Sequence, residues 1–348
     1  MSSLLSGSMN FFGLDIGTTA IRLVELRGGS GGPKALVKYA YLPIQGNVAI
    51  SESKGDKQKL SQLIAQLVNQ AGVSTRNVSV GVPSSRVFTT IADFDRLSPS
   101  DLKKSIPLQA DALIPTPLAE SKLDSVVLGD SPVYKGKVEV LLTSVPNNYI
   151  EDRLDMLESI GLNVIAFEPD NLAMARALAI NDPQPQLLLD VGRRSTDLVV
   201  ISNGAPRLTR SIPTGVEAIV KAAMQNLNID DKQAEQFVFK FGLSKEKLEG
   251  QVFTAISGTV DMLITEVEKS IKFFEQRYTG AKISRIVVTG GASVMPEFPL
   301  YVANKFGLNV EIGNAWRNVT FSPDRQNELL SISNQFAVAV GLAERVSV

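Results

Sequence analysis

The stretch NFFGLDIGTTAIRLVEL, residues 10–26, decides the fold. Phe11 to Ile16 is apolar enough for a strand buried on both faces, and Ala20 to Leu26 alternates like a strand with one polar side. Between them Asp15, Gly17, Thr18 and Thr19 make a turn suited to contact with something polar. A glycine-rich turn, RGGSGGPK, leads into a third strand, ALVKYAYLPI. Residues 56–71 then place Leu60, Leu63, Ile64, Leu67 and Val68 on one helical face. Gly72 ends that helix and NVSVGVP supplies a buried strand, so the first unit reads βββαβ.

The theme returns in QPQLLLDVGRRSTDLVVISNGAPRLTRSIPTG, residues 184–215. An apolar strand again runs into Asp-x-Gly, a polar turn, a second strand, the turn SNGAP and a third strand. A repeated βββ unit implies two similar lobes. The expected division is a tail at 1–8, a first lobe at 9–185 and a second at 186–348. The second lobe carries a helical subdomain over about 214–280. Residues 84 to about 140 read as an insertion in the first lobe. It holds a helix capped by Ser98-Pro99 that Pro107 should kink or split, and two short strands around LDSVVL and KVEVLLTSV. The closing helix, SNQFAVAVGLAERV, is expected to pack into the second lobe.

Composition narrows the chemistry. Thirty-five basic against thirty-six acidic residues leave a net charge of −1, without the basic footprint of a nucleic-acid binder. No run of eighteen apolar residues occurs, so the chain reads as cytoplasmic with no direct membrane insertion. With no Cys and no His, thiol nucleophiles, Ser-His-Asp triads and ordinary zinc sites are excluded. Any metal should be a hard, oxygen-liking ion such as Mg²⁺.

Three features suit a two-lobed nucleotide clamp. Asp15-x-Gly17-Thr18-Thr19 and Asp190-x-Gly192-x₃-Thr196-Asp197 are hairpin turns, one per lobe, with the N–H groups and hydroxyls that hold phosphate oxygens. Asp15 and Asp190 end their strands, where two carboxylates can hold Mg²⁺ through its waters. The third feature is VVTGGAS, a buried strand ending in Gly290-Gly291, where backbone can approach a base or ribose.

In that order these motifs resemble the actin/hexokinase/heat-shock-chaperone ATPase superfamily. Within it the chain is similar, nearly end to end, to the PilM family of type IV pilus assembly. IPLQADALIPTPLAESKLDSVVL, SVPNNYIEDRLDMLESIGLNVIAFEPDNLAMARAL and FAVAVGLAERV carry that likeness. The resemblance implies a duplicated actin-like (ribonuclease H-like) α/β fold, two lobes around a nucleotide cleft, with an FtsA-like inserted subdomain. It implies ATP and Mg²⁺ as cofactors, with Asp15 and Asp190 organising the metal. Gly17, Thr18, Thr19, Gly192, Thr196 and Asp197 belong to its phosphate loops, and Arg22 stands where the family often has Lys. Glu168 falls where the chaperone branch positions the attacking water. Gly215 would line the cleft, Glu235 would reach the ribose, and Gly290, Gly291 and Ala292 would flank the adenosine.

Some residues depart from that pattern. Arg193 and Arg194 follow the second loop's glycine where small residues are usual, Val216 replaces a second glycine, and Val238 stands where Lys is common. Nucleotide binding is therefore expected with weak or absent turnover. The implied role is an adaptor that binds the cytoplasmic N-terminal peptide of the inner-membrane protein PilN and links it to the pilus motor ATPases. The alternatives are a filament-forming FtsA-like division protein and a small-molecule kinase. Asp93, Asp95, Asp101, Asp111 and Asp124 in the insertion form no catalytic phrase for the kinase. GLAERVSV lacks the basic amphipathic tether of the division protein.

Overall fold

The computed structural model describes residues 10–28 and 32–346. The expected tail at 1–8 and the centre of the glycine-rich turn lie outside those residues. The chain opens with β1 (Phe12–Ile16), β2 (Ala20–Arg27), β3 (Lys34–Pro43), α1 (Lys54–Ala71) and β4 (Asn77–Val82). There follow β5 (Phe88–Asp95), α2 (Pro99–Ala110), β6 (Ser121–Asp130) and β7 (Lys137–Pro146). Next come α3 (Asn147–Glu158), β8 (Asn163–Pro169) and α4 (Asp170–Leu178). The second repeat holds β9 (Gln186–Val191), β10 (Thr196–Ser202), β11 (Ala205–Ile212), α5 (Val216–Leu227), α6 (Asp231–Phe241) and α7 (Gln251–Arg277). The chain closes with β12 (Arg285–Thr289), α8 (Phe298–Phe306), β13 (Asn309–Ile312), β14 (Val319–Thr320), α9 (Gln326–Ile332) and α10 (Ala337–Glu344).

Two sheets carry the duplication. One has the order β14-β3-β2-β1-β4-β8, the other β11-β10-β9-β12-β13. In each, three antiparallel strands are followed by two parallel ones, on β1 and on β9 respectively. The repeat thus extends two strands beyond the βββ unit legible in the sequence. Local signals act as expected at α1, where the Ser53 hydroxyl accepts from the Asp56 N–H and Gly72 ends the helix at φ 60°.

The chain forms two compact units: residues 1–83, 148–178 and 314–348 in one, residues 84–147 and 179–313 in the other. Two placements differ from the sequence reading. The inserted segment groups with the second repeat, and residues 314–348 return to the first. Helix α10 lies on α4 and β1 because glycines let backbones meet. A Cβ on Gly341 would sit 1.8 Å from the Ala173 carbonyl oxygen, and one on Gly13 would sit 2.4 Å from that of Ala339. The inserted sheet, ordered β5-β7-β6, has its own core of Phe94, Leu102, Ile106 and Val140 under α2. Helix α2 runs through Pro107 without splitting.

Candidate functional site

The first hairpin turn is built by register. Asp15 pairs with Arg22 and Ile16 with Ile21, and the Gly17 N–H donates to the Ala20 carbonyl at 3.1 Å to close the turn. Arg22 Nη1 lies 3.3 Å from Asp15 Oδ2. Burial pushes the Asp15 carboxyl up, and Arg22 pulls it back by less. Thr19 is exposed and Thr18 half-buried, and among the described residues neither hydroxyl has a protein partner. The turn therefore has hydroxyl donors and one guanidinium to offer an anion.

The second turn repeats this closure, with the Gly192 N–H donating to the Ser195 carbonyl at 3.0 Å. Here Asp190 pairs with Asp197, which takes the place of Arg22. Directly opposed residues on antiparallel strands share a face, so two carboxylates stand side by side. Asp197 Oδ1 is buried without a hydrogen-bond partner, and burial pushes its carboxyl up. Gly290, at φ 78°, makes room for Asp190: a Cβ there would lie 2.1 Å from Asp190 Oδ1. Gly291 follows it with Val216 as its near neighbour, and Ala292 is buried.

Gly215 serves packing. A Cβ on it would meet the Gly192 carbonyl oxygen at 2.5 Å, and the next two N–H groups of α5 donate to the carbonyls of Gly192 and Arg193 at 2.9 and 2.8 Å. The Thr196 hydroxyl is fully buried and donates to the Thr214 carbonyl at 2.7 Å. A phosphate contact by that hydroxyl would have to break this bond first. Arg193 pairs with Glu235, and Arg194 Nε lies 3.4 Å from Glu217. The group expected to reach a ribose is thus already held by a loop residue. Val238 is in the core of this unit, which explains why no Lys stands there.

Glu168 is in the first unit and is buried. Arg176 binds both its oxygens, with Nη1 donating to Oε2 at 3.1 Å and Nη2 to Oε1, and Arg345 adds a 3.5 Å contact. In this arrangement Glu168 fixes arginines rather than a water. Sequence reasoning missed Arg176 and Arg345, because eight and 177 residues of separation give no periodic signal. Asp15, Arg22, Thr18 and Thr19 are brought together in one unit, and Asp190, Asp197, Gly290 and the start of α5 in the other.

Among the described residues no group of three or more Asp, Glu, His or Cys side chains could hold a metal. A hard cation would have to take much of its coordination from water or phosphate oxygens, as Mg²⁺ does. The paired carboxylates at Asp190 and Asp197, one with an unpartnered buried oxygen, fit such an ion. Asp15 already has Arg22 as counter-charge.

No helix among the described residues is long and apolar enough to cross a membrane. The sequence model of the family described as Type IV pilus assembly protein PilM matches residues 13–347. The chain is 24% identical over 360 aligned residues to the cell division protein FtsA of Pseudomonas aeruginosa, covering 90% of this chain and 84% of that one. Its structure is similar to a chain of a solved PilM-PilN type IV pilus biogenesis complex, with a TM-score of 0.83, 25% identity, and coverage of 97% of this chain and 98% of that one. MreB5 of Spiroplasma citri, solved bound to ADP, matches at a TM-score of 0.52 and 15% identity over 95% and 94% of the two chains. The fold is that of the actin-like ATPases.

Proposed function

The chain belongs to the family of the type IV pilus assembly protein PilM, and from that premise we propose that it is a nucleotide-binding adaptor of the pilus assembly machinery. The match over residues 13–347 is the observation that carries the reading. The nucleotide is ATP with Mg²⁺. In the first unit Thr18, Thr19, Arg22 and the Gly17 turn receive phosphate oxygens; in the second the Gly192 turn does the same, Asp190 and Asp197 receive the hydrated cation, and Gly290, Gly291 and Ala292 border the adenosine. Glu235 reaches the ribose once Arg193 releases it, and Gly215 keeps the second turn against α5. Arg clamping of Glu168 agrees with slow turnover, so binding rather than hydrolysis is the working event. The partner is the cytoplasmic N-terminal peptide of a PilN-like inner-membrane protein. It holds the adaptor at the membrane, with the pilus motor ATPases as the further contact.

Calorimetry on nucleotide-free protein tests the site. Asp190→Ala should weaken Mg-dependent ATP binding at least tenfold while leaving magnesium-free binding nearly unchanged. Equal affinity in wild type and variant would refute the carboxylate assignment. Titration of the PilN-like peptide into both proteins tests the partner separately.

A further inference from the structure

A cavity lies wholly within the unit formed by residues 84–147 and 179–313, and no residue of either turn motif lines it. It is open to solvent on one side, with a volume of about 770 Å³, the size of a ligand pocket. The segment after β6 forms one wall, with Pro132 and Val133. The β10–β11 turn forms another with Ser202 and Asn203, and the end of α7 a third with Phe273 and Gln276. Arg207 and Arg277 also line it.

The two arginines are fixed from behind. Arg277 Nη2 donates to Glu139 Oε1 at 2.8 Å and to Asp93 Oδ2 at 2.9 Å, and Arg207 Nη1 binds Glu139 Oε2. Glu139 is fully buried. This leaves Nε of Arg207 and Nη1 of Arg277 without a protein acceptor among the described residues. Their counter-ions make the cluster close to neutral, and Asp130 on the rim pairs with Arg96. The arginines therefore offer oriented N–H donors more than net charge. Ser202, Asn203 and Gln276 are neutral donors and acceptors, which suits amide groups. Phe273 is 59% exposed and Val133 43% exposed beside them, an apolar contact with no cover.

We propose that this cavity binds a short extended peptide segment of a partner protein, in which a carboxylate side chain adjoins an apolar one. The carboxylate meets the spare donors of Arg207 and Arg277, the backbone meets Ser202, Asn203 and Gln276, and the apolar side chain covers Phe273 and Val133. The site is independent of nucleotide and stands or falls apart from the adaptor reading.

The test uses the full chain and the capped peptide acetyl-Glu-Leu-Gly-amide, followed by amide chemical shifts. Saturable shifts at Ser202, Asn203 and Gln276 are expected. Phe273→Ser and Gln276→Glu, both at exposed positions on α7, should each weaken binding at least threefold with an unchanged melting temperature. Acetyl-Gln-Leu-Gly-amide and acetyl-Glu-Gly-Gly-amide should bind at least threefold more weakly. Absence of saturable shifts, equal affinity in both variants, or equal affinity for either control peptide would overturn the proposal.

Discussion

Opposite Asp15 stands an arginine, and opposite Asp190 stands an aspartate. That single difference divides the labour of the duplicated turns. The first neutralises its own carboxylate and keeps free hydroxyls; the second concentrates negative charge that a cation would relieve. The sequence made Asp15, Gly17, Asp190 and Gly192 visible because the same Asp-x-Gly spacing recurs at the same place in a repeated βββ unit. It could not show that the Thr196 hydroxyl is spent on Thr214, or that Arg193 turns onto Glu235, because both depend on chain segments 18 and 42 residues away. Arg193 gives a residue-scale prediction. The pair with Glu235 is partly exposed, at 26% and 43% for the two side chains, so it contributes roughly 0–1 kcal/mol. Arg193→Ala should free Glu235 and tighten ATP binding by a few-fold in calorimetry. A tenfold loss instead would identify Arg193 as a phosphate clamp.

Helix α10 shows what an element inherits from its neighbours. Every residue from Ala337 to Ala343 is buried, which the all-round apolar run AVAVGLA announces. Which lobe receives it is not written in that run; it depends on Gly341 meeting Ala173 and on Gly13 in β1. The helix end is polar. Lys34 Nζ donates to the carbonyls of Ala343 and Arg345 at 3.1 and 3.0 Å, a cation at a helix C-terminus. Burial pushes the Glu344 carboxyl up to about 7, against the pull of Arg176 and Lys34. The folded state therefore holds this proton more tightly than the unfolded chain does. The resulting stability is complete below about pH 4.5 and is lost as pH rises towards 7. Glu344→Gln should remove the effect. Between pH 5 and 7.5 the wild type should lose about 2 kcal/mol relative to the variant in urea unfolding, from 1.36 kcal/mol per unit. Parallel pH profiles for the two proteins would contradict it.

At the scale of the whole molecule, Glu139 joins the inserted sheet to the second repeat. Its carboxylate takes Arg207, Arg277 and the Tyr278 hydroxyl, whose phenol burial pushes up to about 12. Removing one partner from a buried ionic cluster costs about 3–5 kcal/mol. Glu139→Gln should lower stability by that order. It should also raise hydrogen exchange across residues 84–147 while exchange in β1 and α10 stays unchanged. A loss below about 1 kcal/mol would show the cluster to be incidental.

The sequence by itself determined the repeated βββ unit, the two Asp-x-Gly turns and the Gly290-Gly291 corner, and its middle and C-terminal stretches carried the family likeness. Strand alternation, helical spacing and glycine at turns are local signals, read within about twenty residues. Only the tertiary structure decided which repeat holds the insertion and which receives the last thirty-five residues. It alone set Arg176 on Glu168 and both arginines on Glu139. Those choices rest on close backbone approach at glycine and on charges buried together, and both depend on residues far apart in the chain.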